Sequence, residues 1–427
     1  MHRYGLVVAG LVVALLLGVV SCAAPAPVPG PIPSPTGAPP MGWNSWNSGM
    51  PLSERTVEQT IDALVSSGMR DAGYRYVNLD AGWAAPTRGA DGNLRADPDR
   101  FPGGIAAVAR YAHDRGLLLG LYNSPFNEAC GQDPRIGSAG HEGSDARQFA
   151  EWGVDYLKYD WCRLDADHGD QVRYFTAMRD ALRTSGRRIL YSINPNSSGV
   201  PGAGARYDWS AIADLSRNFV DLVPSWGDDA LWAQGLTGVG QQFTAAAPLG
   251  ARSRPGRWND PDMLVVGIAW LQFVSGHPGM VLSPAHPDLS DDEQRAHFSL
   301  WAMLAAPLLA GNDLRAMTSR TRDVLTNGEV IAVDQDPLAV QGHALPQDPR
   351  VIVKPLVDGS AAVALFNDGA RPADIATDTG AVGLPAAACY TVRDLWSHTG
   401  APTTGVIARP AIPPHAVVML RVSASCG

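Results

Sequence analysis

The sequence predicts an α/β fold in which a (β/α)8 TIM barrel is followed by a small antiparallel β-sandwich domain. Two observations predict the barrel: strand-like and helix-like stretches alternate between residues 42 and 313, and the strand-like stretches number eight. A third predicts the sandwich, because after Asp336-Pro337 short strand-like runs lie between Gly, Pro and Asp turns without a helical pattern. We place the barrel at residues 40–338 and the sandwich at 339–427.

The barrel elements follow from hydrophobic periodicity. Val57, Ile61 and Leu64 recur at helical spacing, and Ser290 with Glu293 forms a Ser-x-x-Glu capping box before another helix. The predicted helices span 55–73, 104–115, 145–152, 170–184 and 291–305. The predicted strands span 42–46, 76–80, 117–122, 154–160, 188–193, 218–221, part of 257–264, and 307–313. In the sandwich, strands are predicted at 351–353, 361–366, 390–392 and 417–422.

The first 39 residues are predicted to be a targeting segment and a tether. His2 and Arg3 precede an apolar run at residues 6–20 that is too short to span a bilayer comfortably, so residues 1–22 are interpreted as a signal peptide. The run ends at Ser21-Cys22, which resembles a bacterial lipobox and implies a lipid on Cys22. Residues 23–39, rich in Pro and Ala, would then be a linker. The alternative is an ordinary secretion signal cleaved nearby; either implies an extracellular protein.

The cysteine count fits an exported protein. The chain has five cysteines, so four remain beside Cys22. An even number in an oxidising compartment suggests two disulfides, and we propose Cys130–Cys162 and Cys389–Cys426, each within one predicted domain. The alternative is free buried thiols.

Charge and motifs narrow the class of partner. The formal net charge is −9, from 42 acidic and 33 basic residues, and no long basic run offsets it, which argues against a nucleic-acid partner. No GxGxxG follows a strand, and neither GxSxG nor HExxH occurs. We therefore expect no cofactor and no metal, and a neutral small-molecule substrate.

A candidate nucleophile ends the fourth predicted strand. Asp160 lies where an apolar strand should stop, and a carboxylate there is costly unless its charge is used. Lys158 is two residues earlier, so alternation places it on the same side of the strand. A neighbouring cation should keep Asp160 ionised at neutral pH, as a nucleophile requires. The alternative is that Asp160 only caps the next helix.

The ends of the other predicted strands supply more candidate site residues, because barrel enzymes place reactive groups at the C-terminal ends of their strands. These ends are rich in carboxylates and aromatic rings. Two carboxylates in an aromatic pocket suit glycoside hydrolysis, so an oligo- or polysaccharide is the expected partner. The residues are Trp46, Asp80, Tyr122, Asp160, Asn194 and Asp221, followed by a loop at 258–263.

An ordered set of motifs resembles glycoside hydrolase family 27, which includes the α-galactosidases. The motifs are MGWNSW at 41–46, LD at 79–80, YLKYD at 156–160, RNFVD at 217–221, WNDPDML at 258–264, SLWAMLAAP at 299–307 and DQDP at 334–337. The resemblance runs from about residue 40 to the C-terminus.

The resemblance implies a role for each site residue. Asp160 would be the nucleophile and Asp221 the acid/base, whose pKa should lie above that of Asp160 because it must donate a proton. Sugar hydroxyls would bind Asp80, Lys158 and Arg217. The walls of the pocket would be Trp43, Trp46, Tyr122 and Met263, and Cys130 with Cys162 would match a family disulfide. Two alternatives stay open: Trp43 as a core residue only, and Asp260 and Asp262 as turn residues.

Two departures from the family pattern concern the sugar. Typical α-galactosidases have paired Asp residues after strand two, whereas Asp80 is followed here by Ala81. Many members have Glu-Trp after strand five, where this chain has Asn194-Pro195. The expected activity is that of a retaining exo-α-glycosidase, most simply an α-galactosidase. The alternatives are an α-1,6-glucan-specific glycosidase of the isomalto-dextranase kind, and a non-catalytic sugar-binding lipoprotein.

Overall fold

Eight parallel strands form the central sheet of the larger domain. The computed structural model describes residue 1 and residues 37–425, apart from 131–135, 198, 228–230, 232–233, 281 and 284. The strands follow one another around the sheet in chain order, and a parallel bridge between Leu264 and Ala310 joins its two ends. The predicted (β/α)8 barrel is therefore confirmed. Its strands are β1 Met41–Asn44, β2 Tyr76–Leu79, β3 Leu118–Asn123, β4 Tyr156–Asp160, β5 Leu190–Asn194, β6 Leu215–Arg217, β9 Trp258–Asp260 and β10 Leu308–Ala310.

Helices connect the strands. The described α-helices are α1 Glu54–Ser66, α2 Met69–Ala72, α3 Ile105–His113, α4 Glu142–Trp152, α5 His168–Arg183, α6 Ala203–Arg206, α7 Val239–Ala246, α8 Trp270–Gly276, α9 Asp291–Leu304, α10 Ser319–Leu325 and α11 Gly328–Asp334. The predicted capping box is present, since Ser290 Oγ accepts a hydrogen bond from the amide of Glu293. The single helix predicted at 55–73 is wrong, because Gly68 adopts a left-handed φ of 87° and ends the first helix before α2 begins.

The sixth strand lies earlier than predicted. It is β6, Leu215–Arg217, which pairs with β5 and β9. The predicted strand at 218–221 is wrong, because the chain leaves the sheet after Arg217. Asp221 begins β7, Asp221–Leu222, which pairs with β8, Leu236–Thr237, in a separate two-stranded sheet. Asp221 consequently stands beyond the end of the barrel sheet rather than within it.

Apolar side chains fill the space between strands and helices. Val57, Ile61 and Leu64, the residues whose spacing predicted α1, are fully buried against the sheet. Trp301 on α9 is also fully buried, and its Nε1 donates a 2.9 Å hydrogen bond to the carbonyl of Asp262 in the loop after β9. Full burial of one such side chain stabilises a fold by roughly 1.5–3 kcal/mol, so this core holds the strand ends in place.

The smaller domain is a β-sandwich, as predicted. One sheet has six antiparallel strands in the order β11-β12-β13-β18-β15-β16, and the second pairs β14 with β17. Ile375 and Ile407 of the second sheet pack in one core with Val363 and Leu420 of the first. The strands are β11 His343–Leu345, β12 Asp348–Pro355, β13 Ala361–Phe366, β14 Ala373–Asp378, β15 Tyr390–Asp394, β16 Thr399–Thr403, β17 Val406–Ile412 and β18 Val417–Ser423.

The sandwich packs against helix α9 of the barrel through buried polar contacts. Lys354 on β12 is fully buried and donates a 2.9 Å hydrogen bond to the carbonyl of Ala302. Trp396 Nε1 donates to Ser299 Oγ at 2.9 Å, and His415 Nδ1 lies 2.7 Å from Glu293 Oε1. These contacts fix the position of the sandwich on the barrel.

The predicted signal peptide and most of the linker, including Cys22, lie outside the described residues. Among the helices that the structure does describe, none has the length and apolar character needed to cross a bilayer.

Candidate active site

Two strands bring Asp160, Lys158 and Asp80 together at the C-terminal end of the barrel. Asp160 is the last residue of β4, and Lys158 points to the same side, with its Nζ 3.3 Å from Asp160 Oδ2. The same Nζ lies 2.7 Å from Oδ2 of Asp80, which follows β2. Asn44 at the end of β1 donates a 3.0 Å hydrogen bond to that Asp80 oxygen. The alternation predicted for Asp160 and Lys158 is confirmed.

The environment of Asp160 differs from the expected one. Burial raises the pKa of Asp160 to about 7, the negative charges of Asp80 and Asp221 add to this, and Lys158 and Arg217 oppose it. At a pKa of about 7 the carboxyl of Asp160 is only partly ionised at neutral pH, because desolvation in the open site outweighs the attraction of Lys158.

One oxygen of Asp160, the buried Oδ1, accepts no hydrogen bond from any residue that the structure describes. The side chain as a whole lines the cavity described below, with 13% of its surface exposed. Asp160 does not cap the next helix, since the N-cap of α5 is Asp167. A carboxylate that ends a strand and lines a cavity is placed to contact a ligand, which fits a nucleophile.

Asp221 lies beside Arg217, beyond the end of β6. The guanidinium Nη2 of Arg217 lies 3.2 Å from Asp221 Oδ1 and 2.7 Å from Asp262 Oδ2. The side chain of Asp221 is 51% exposed, whereas those of Arg217 and Asp262 are buried. Arg217 is thus held by the buried Asp262, and the carboxylate of Asp221 is the exposed member of the three.

Asp262 belongs to the candidate site, although the sequence left open whether it only closes a turn. Its φ of 84° lies in the left-handed region, which costs a residue with a side chain on the order of 1–3 kcal/mol. In this conformation Asp262 Oδ2 contacts Arg217 and accepts a 2.9 Å hydrogen bond from the amide of Leu222. Asp260, in contrast, is a turn residue, since its Oδ1 accepts the amide of Asp262 at 2.8 Å. Asp262 therefore positions both Arg217 and the chain that carries Asp221.

These residues surround one cavity of about 620 Å³ at the C-terminal ends of the strands. The predicted site residues that line it are Trp46, Asp80, Tyr122, Lys158, Asp160, Asn194, Arg217, Asp221 and Met263. The prediction that Trp43 forms part of the cavity wall is wrong. Its side chain is fully buried in the core, and its Nε1 donates a 2.8 Å hydrogen bond to the carbonyl of Asn312. Trp43 thus supports the barrel rather than the cavity wall.

A disulfide closes part of the rim. Cys130 and Cys162 are bonded, which confirms the predicted pair, and both line the cavity. The amide of Cys130 donates a 3.2 Å hydrogen bond to the hydroxyl of Tyr122, so the disulfide also holds the ring of Tyr122. The second predicted pair stays a prediction, because Cys426 lies outside the described residues.

The two positions at which the sequence departs from the family pattern, Ala81 and Asn194, both line the cavity. Ala81 lines it, and its amide donates a 2.9 Å hydrogen bond to Asp80 Oδ1. A carboxylate at position 81 would reach the same space, so its absence removes an acceptor from the site. Asn194 also lines the cavity, and its Oδ1 accepts a 3.0 Å hydrogen bond from Asn196 Nδ2. An amide there offers a ligand less negative charge than the glutamate of other family members.

Loop residues that the sequence did not predict complete the outer part of the cavity. Leu164 lines it with 76% of its surface exposed, and Arg163 beside it stacks 4.3 Å above the ring of Phe126. Neither lies at a strand end or in a motif, so no periodic signal marks them. Among the described residues, no group of three or more His, Cys, Asp or Glu side chains is placed to hold a metal ion.

Comparisons with known proteins agree with this geometry. A family model described as "Alpha galactosidase A" matches residues 38–336, and one described as "Alpha galactosidase C-terminal beta sandwich domain" matches residues 346–422. The α-galactosidase of Oryza sativa subsp. japonica is 36% identical over 383 residues, covering 88% of this chain and 82% of the relative. That of Cyamopsis tetragonoloba is 38% identical over 365 residues, covering 84% and 80%.

A solved structure matches as well. The crystal structure of α-galactosidase I from Mortierella vinacea superimposes with a TM-score of 0.79 at 30% identity, covering 91% of this chain and 98% of that one. The cavity with its paired carboxylates thus lies in a chain whose two domains both match one family. The protein belongs to the α-galactosidase family, glycoside hydrolase family 27, and is a glycoside hydrolase of the α-galactosidase type.

Proposed function

We propose that this enzyme removes terminal α-D-galactosyl residues from oligo- or polysaccharides by double displacement, with Asp160 as nucleophile and Asp221 as acid/base. The observation that carries the proposal is that both carboxylates line one cavity, where the charge of Asp221 acts on Asp160. Two carboxylates that face one sugar site are the arrangement that glycoside hydrolysis requires.

In the first step, an oxygen of Asp160 attacks the anomeric carbon of the bound sugar. The side chain of Asp160 lines the cavity, and its Oδ2 lies 3.3 Å from the ammonium of Lys158. The bond from the anomeric carbon to the leaving oxygen breaks, and Asp221 gives that oxygen a proton. A glycosyl ester on Asp160 and a free alcohol result.

In the second step, water attacks the anomeric carbon and the ester bond to Asp160 breaks. Asp221, now a carboxylate, takes the proton of the water. The side chain of Asp221 is half exposed in the open site, which gives water access to it. Two displacements at one carbon retain its configuration, so the released sugar has the anomeric form of the substrate.

Binding of the sugar should favour the ionised form of Asp160 that the attack needs. Hydroxyl groups of the sugar that donate hydrogen bonds to the oxygens of Asp160 stabilise the carboxylate, and this lowers the pKa of Asp160 from its raised value in the open site.

The identity of the sugar rests on the relatives. The proteins compared above are named α-galactosidases, and the solved structure of the Saccharomyces cerevisiae α-galactosidase with raffinose, at 25% identity, has a TM-score of 0.77 and covers 91% of this chain and 98% of that one. Ala81 favours a second candidate, an enzyme that acts on α-1,6-glucans, since the missing acceptor is one that would bind an axial 4-hydroxyl. An unpaired buried hydroxyl costs roughly 1–3 kcal/mol, which is enough to shift the preference between epimers.

We also propose that the enzyme is exported and held at the cell surface by a lipid on Cys22. The apolar run at 6–20, the Ser21-Cys22 pair at its end and the Pro-rich stretch that follows support this. The rim disulfide Cys130–Cys162 supports an oxidising compartment.

A substrate panel tests the function. Nitrophenyl α-galactoside, nitrophenyl α-glucoside, isomaltose and dextran are each incubated with the purified enzyme, and the products are measured. Cleavage of the galactoside with little action on the glucans supports the proposal. Preferential release of isomaltose from dextran would support the glucanase instead, and no turnover of any substrate would contradict both.

A further inference from the structure

A second cavity, of about 520 Å³, lies at the other end of the barrel and is lined mainly by arginines. Its lining includes five arginines, Arg179, Arg183, Arg187, Arg188 and Arg257, and one carboxylate, that of Asp214. We call it the arginine cleft. A group of cations in one concave site is unusual for a chain whose formal net charge is −9.

The position of the arginine cleft follows from the direction of the strands. Ile189 comes just before β5, Asp214 just before β6 and Arg257 just before β9, and all three line the cleft. Asp160 and Arg217, in contrast, are the last residues of β4 and β6. Because the barrel strands are parallel, the cleft and the active site lie at opposite ends of the barrel.

Two of the five arginines have no side-chain partner among the described residues. Arg179, Arg187 and Arg257 each contact a carboxylate, of Asp180, Asp155 and Asp214 in turn. The side chains of Arg183 and Arg188 are exposed and make no hydrogen bond or ion pair within the part of the chain that the structure describes. No described carboxylate therefore pairs with either charge, and both are available to an anion from outside. A guanidinium pairs readily with phosphate.

The linker joins the barrel at the same end. Pro40 comes directly before β1, and its carbonyl accepts a 3.0 Å hydrogen bond from the amide of Leu308, the first residue of β10. Pro39 is also held there, since its carbonyl accepts a 3.0 Å bond from Gln335 Nε2. Residues 23–39 reach at most about 60 Å when fully extended, so a lipid on Cys22 would keep this end of the barrel within reach of the membrane.

We propose that the arginine cleft binds the phosphate groups of anionic lipids in the membrane that anchors the protein. The choice of lipid as the source of phosphate rests on the proposed lipid attachment at Cys22, and it is independent of the glycosidase activity. In this orientation the active site faces away from the membrane, toward substrates that arrive from outside. A lipid anchor combined with a basic surface is a known way to strengthen membrane attachment.

Vesicle binding of the full chain carrying Cys22→Ser, which cannot be acylated at that position, tests the proposal. Binding is measured by sedimentation with vesicles of phosphatidylcholine alone and of phosphatidylcholine mixed with phosphatidylglycerol. The quantity compared is the difference in binding between the two vesicle types, because the apolar run at 6–20 contributes to the binding of both. We expect tighter binding to the anionic vesicles, and a loss of about fivefold per arginine, or on the order of thirtyfold, in Arg183→Gln/Arg188→Gln.

A matched control removes two exposed arginines elsewhere, Arg55→Gln and Arg147→Gln, with the same change in net charge. This control should keep most of the preference for anionic vesicles, and all variants should hydrolyse a soluble substrate at the original rate. Equal losses in both double variants, or no loss in Arg183→Gln/Arg188→Gln, would overturn the proposal. Binding of inorganic phosphate by the protein without any preference for the anionic vesicles would also overturn it, by making free phosphate the ligand.

Discussion

Asp80 Oδ2 holds the ammonium of Lys158 at 2.7 Å, closer than the 3.3 Å that separates this ammonium from Asp160. The cation is thus shared between a carboxylate that binds it tightly and the proposed nucleophile. This sharing explains why Lys158 offsets only part of the burial of Asp160, whose pKa is raised.

The pH dependence of the reaction should follow from that arrangement. Attack requires the carboxylate form of Asp160, so kcat/KM falls as the pH falls through the pKa of Asp160. Asp80→Asn removes a negative charge, which lowers this pKa and moves the acidic limb to lower pH. Lys158→Met removes the cation, which raises the pKa and moves the limb to higher pH.

The measurement is the pH profile of kcat/KM for a nitrophenyl glycoside, with Asp71→Asn as a control because Asp71 is exposed and does not line the cavity. The variants are compared by the pH at which kcat/KM falls on the acidic side. The absolute value of kcat/KM is not compared, since both site variants also lose contacts with the substrate. Shifts of the same sign in Asp80→Asn and Lys158→Met would contradict the account.

Ala81→Asp should raise the preference for galactosides. The new carboxylate would face the cavity beside Asp80 and accept a hydrogen bond from an axial 4-hydroxyl. A hydrogen bond of roughly 1–3 kcal/mol corresponds to about 5- to 150-fold in the ratio of kcat/KM for α-galactoside over α-glucoside. Ala81→Asn is the matched control, as it has the same size without the charge. An unchanged ratio in Ala81→Asp would mean that position 81 does not contact the 4-hydroxyl.

Loss of the rim disulfide should affect both stability and binding. The bond joins residues 32 positions apart, and closing a loop of this size stabilises a fold by about 3–4 kcal/mol in the chain-entropy description. Cys130→Ser/Cys162→Ser should therefore lower the melting temperature. It should also raise KM more than it changes kcat, because the amide of Cys130 holds the hydroxyl of Tyr122 in the cavity wall. Mass spectrometry that finds both thiols free in the wild-type protein would refute the disulfide.

The interface between the two domains contains two buried titratable side chains whose charges act on each other. Lys354 and Asp334 are both fully buried, and burial lowers the pKa of Lys354 to about 8 and raises that of Asp334 to about 8. Lys354→Met removes the cation that favours the charged form of Asp334, which should cost about 1–3 kcal/mol in the free energy of unfolding.

The double variant Lys354→Met/Asp334→Asn removes both charges and should recover most of that loss. Urea unfolding of the two single variants and the double variant measures the coupling between the residues. Additive losses in the double variant would show that the two side chains act independently, contrary to this account.

Much of the barrel is predictable from the sequence because its signals are local. The apolar run of β4 with Asp160 at its end, the spacing of α1 and the Ser290 capping box each depend on neighbouring residues alone. The strand ends then follow, since in a barrel they share one rim. The sequence alone is therefore enough to bring Asp80, Lys158 and Asp160 together.

The wrong predictions concern residues whose surroundings depend on long-range contacts. The sequence places Asp221 at the end of a barrel strand, but the chain leaves the sheet after Arg217, and Asp221 belongs to a two-stranded sheet. It also places Trp43 in the cavity wall, yet the carbonyl of Asn312, distant in sequence, holds its ring in the core. The pKa of Asp160 depends mainly on how deeply the folded chain buries its carboxyl group. The presence of Lys158 two residues earlier in the sequence does not indicate that burial.

Trapping of the covalent intermediate tests the central claim, that Asp160 and Asp221 act on one sugar from one cavity. A 5-fluoro-α-galactosyl fluoride carries a good leaving group and a ring fluorine that slows the second step, so the glycosyl ester should accumulate. Digestion and mass spectrometry should then find the added mass on the peptide that contains Asp160, with none in Asp160→Asn. In Asp221→Ala the adduct should still form, because fluoride needs no acid, but it should persist longer. An adduct on any other residue, or turnover of a galactoside by Asp160→Asn at the wild-type rate, would contradict the account.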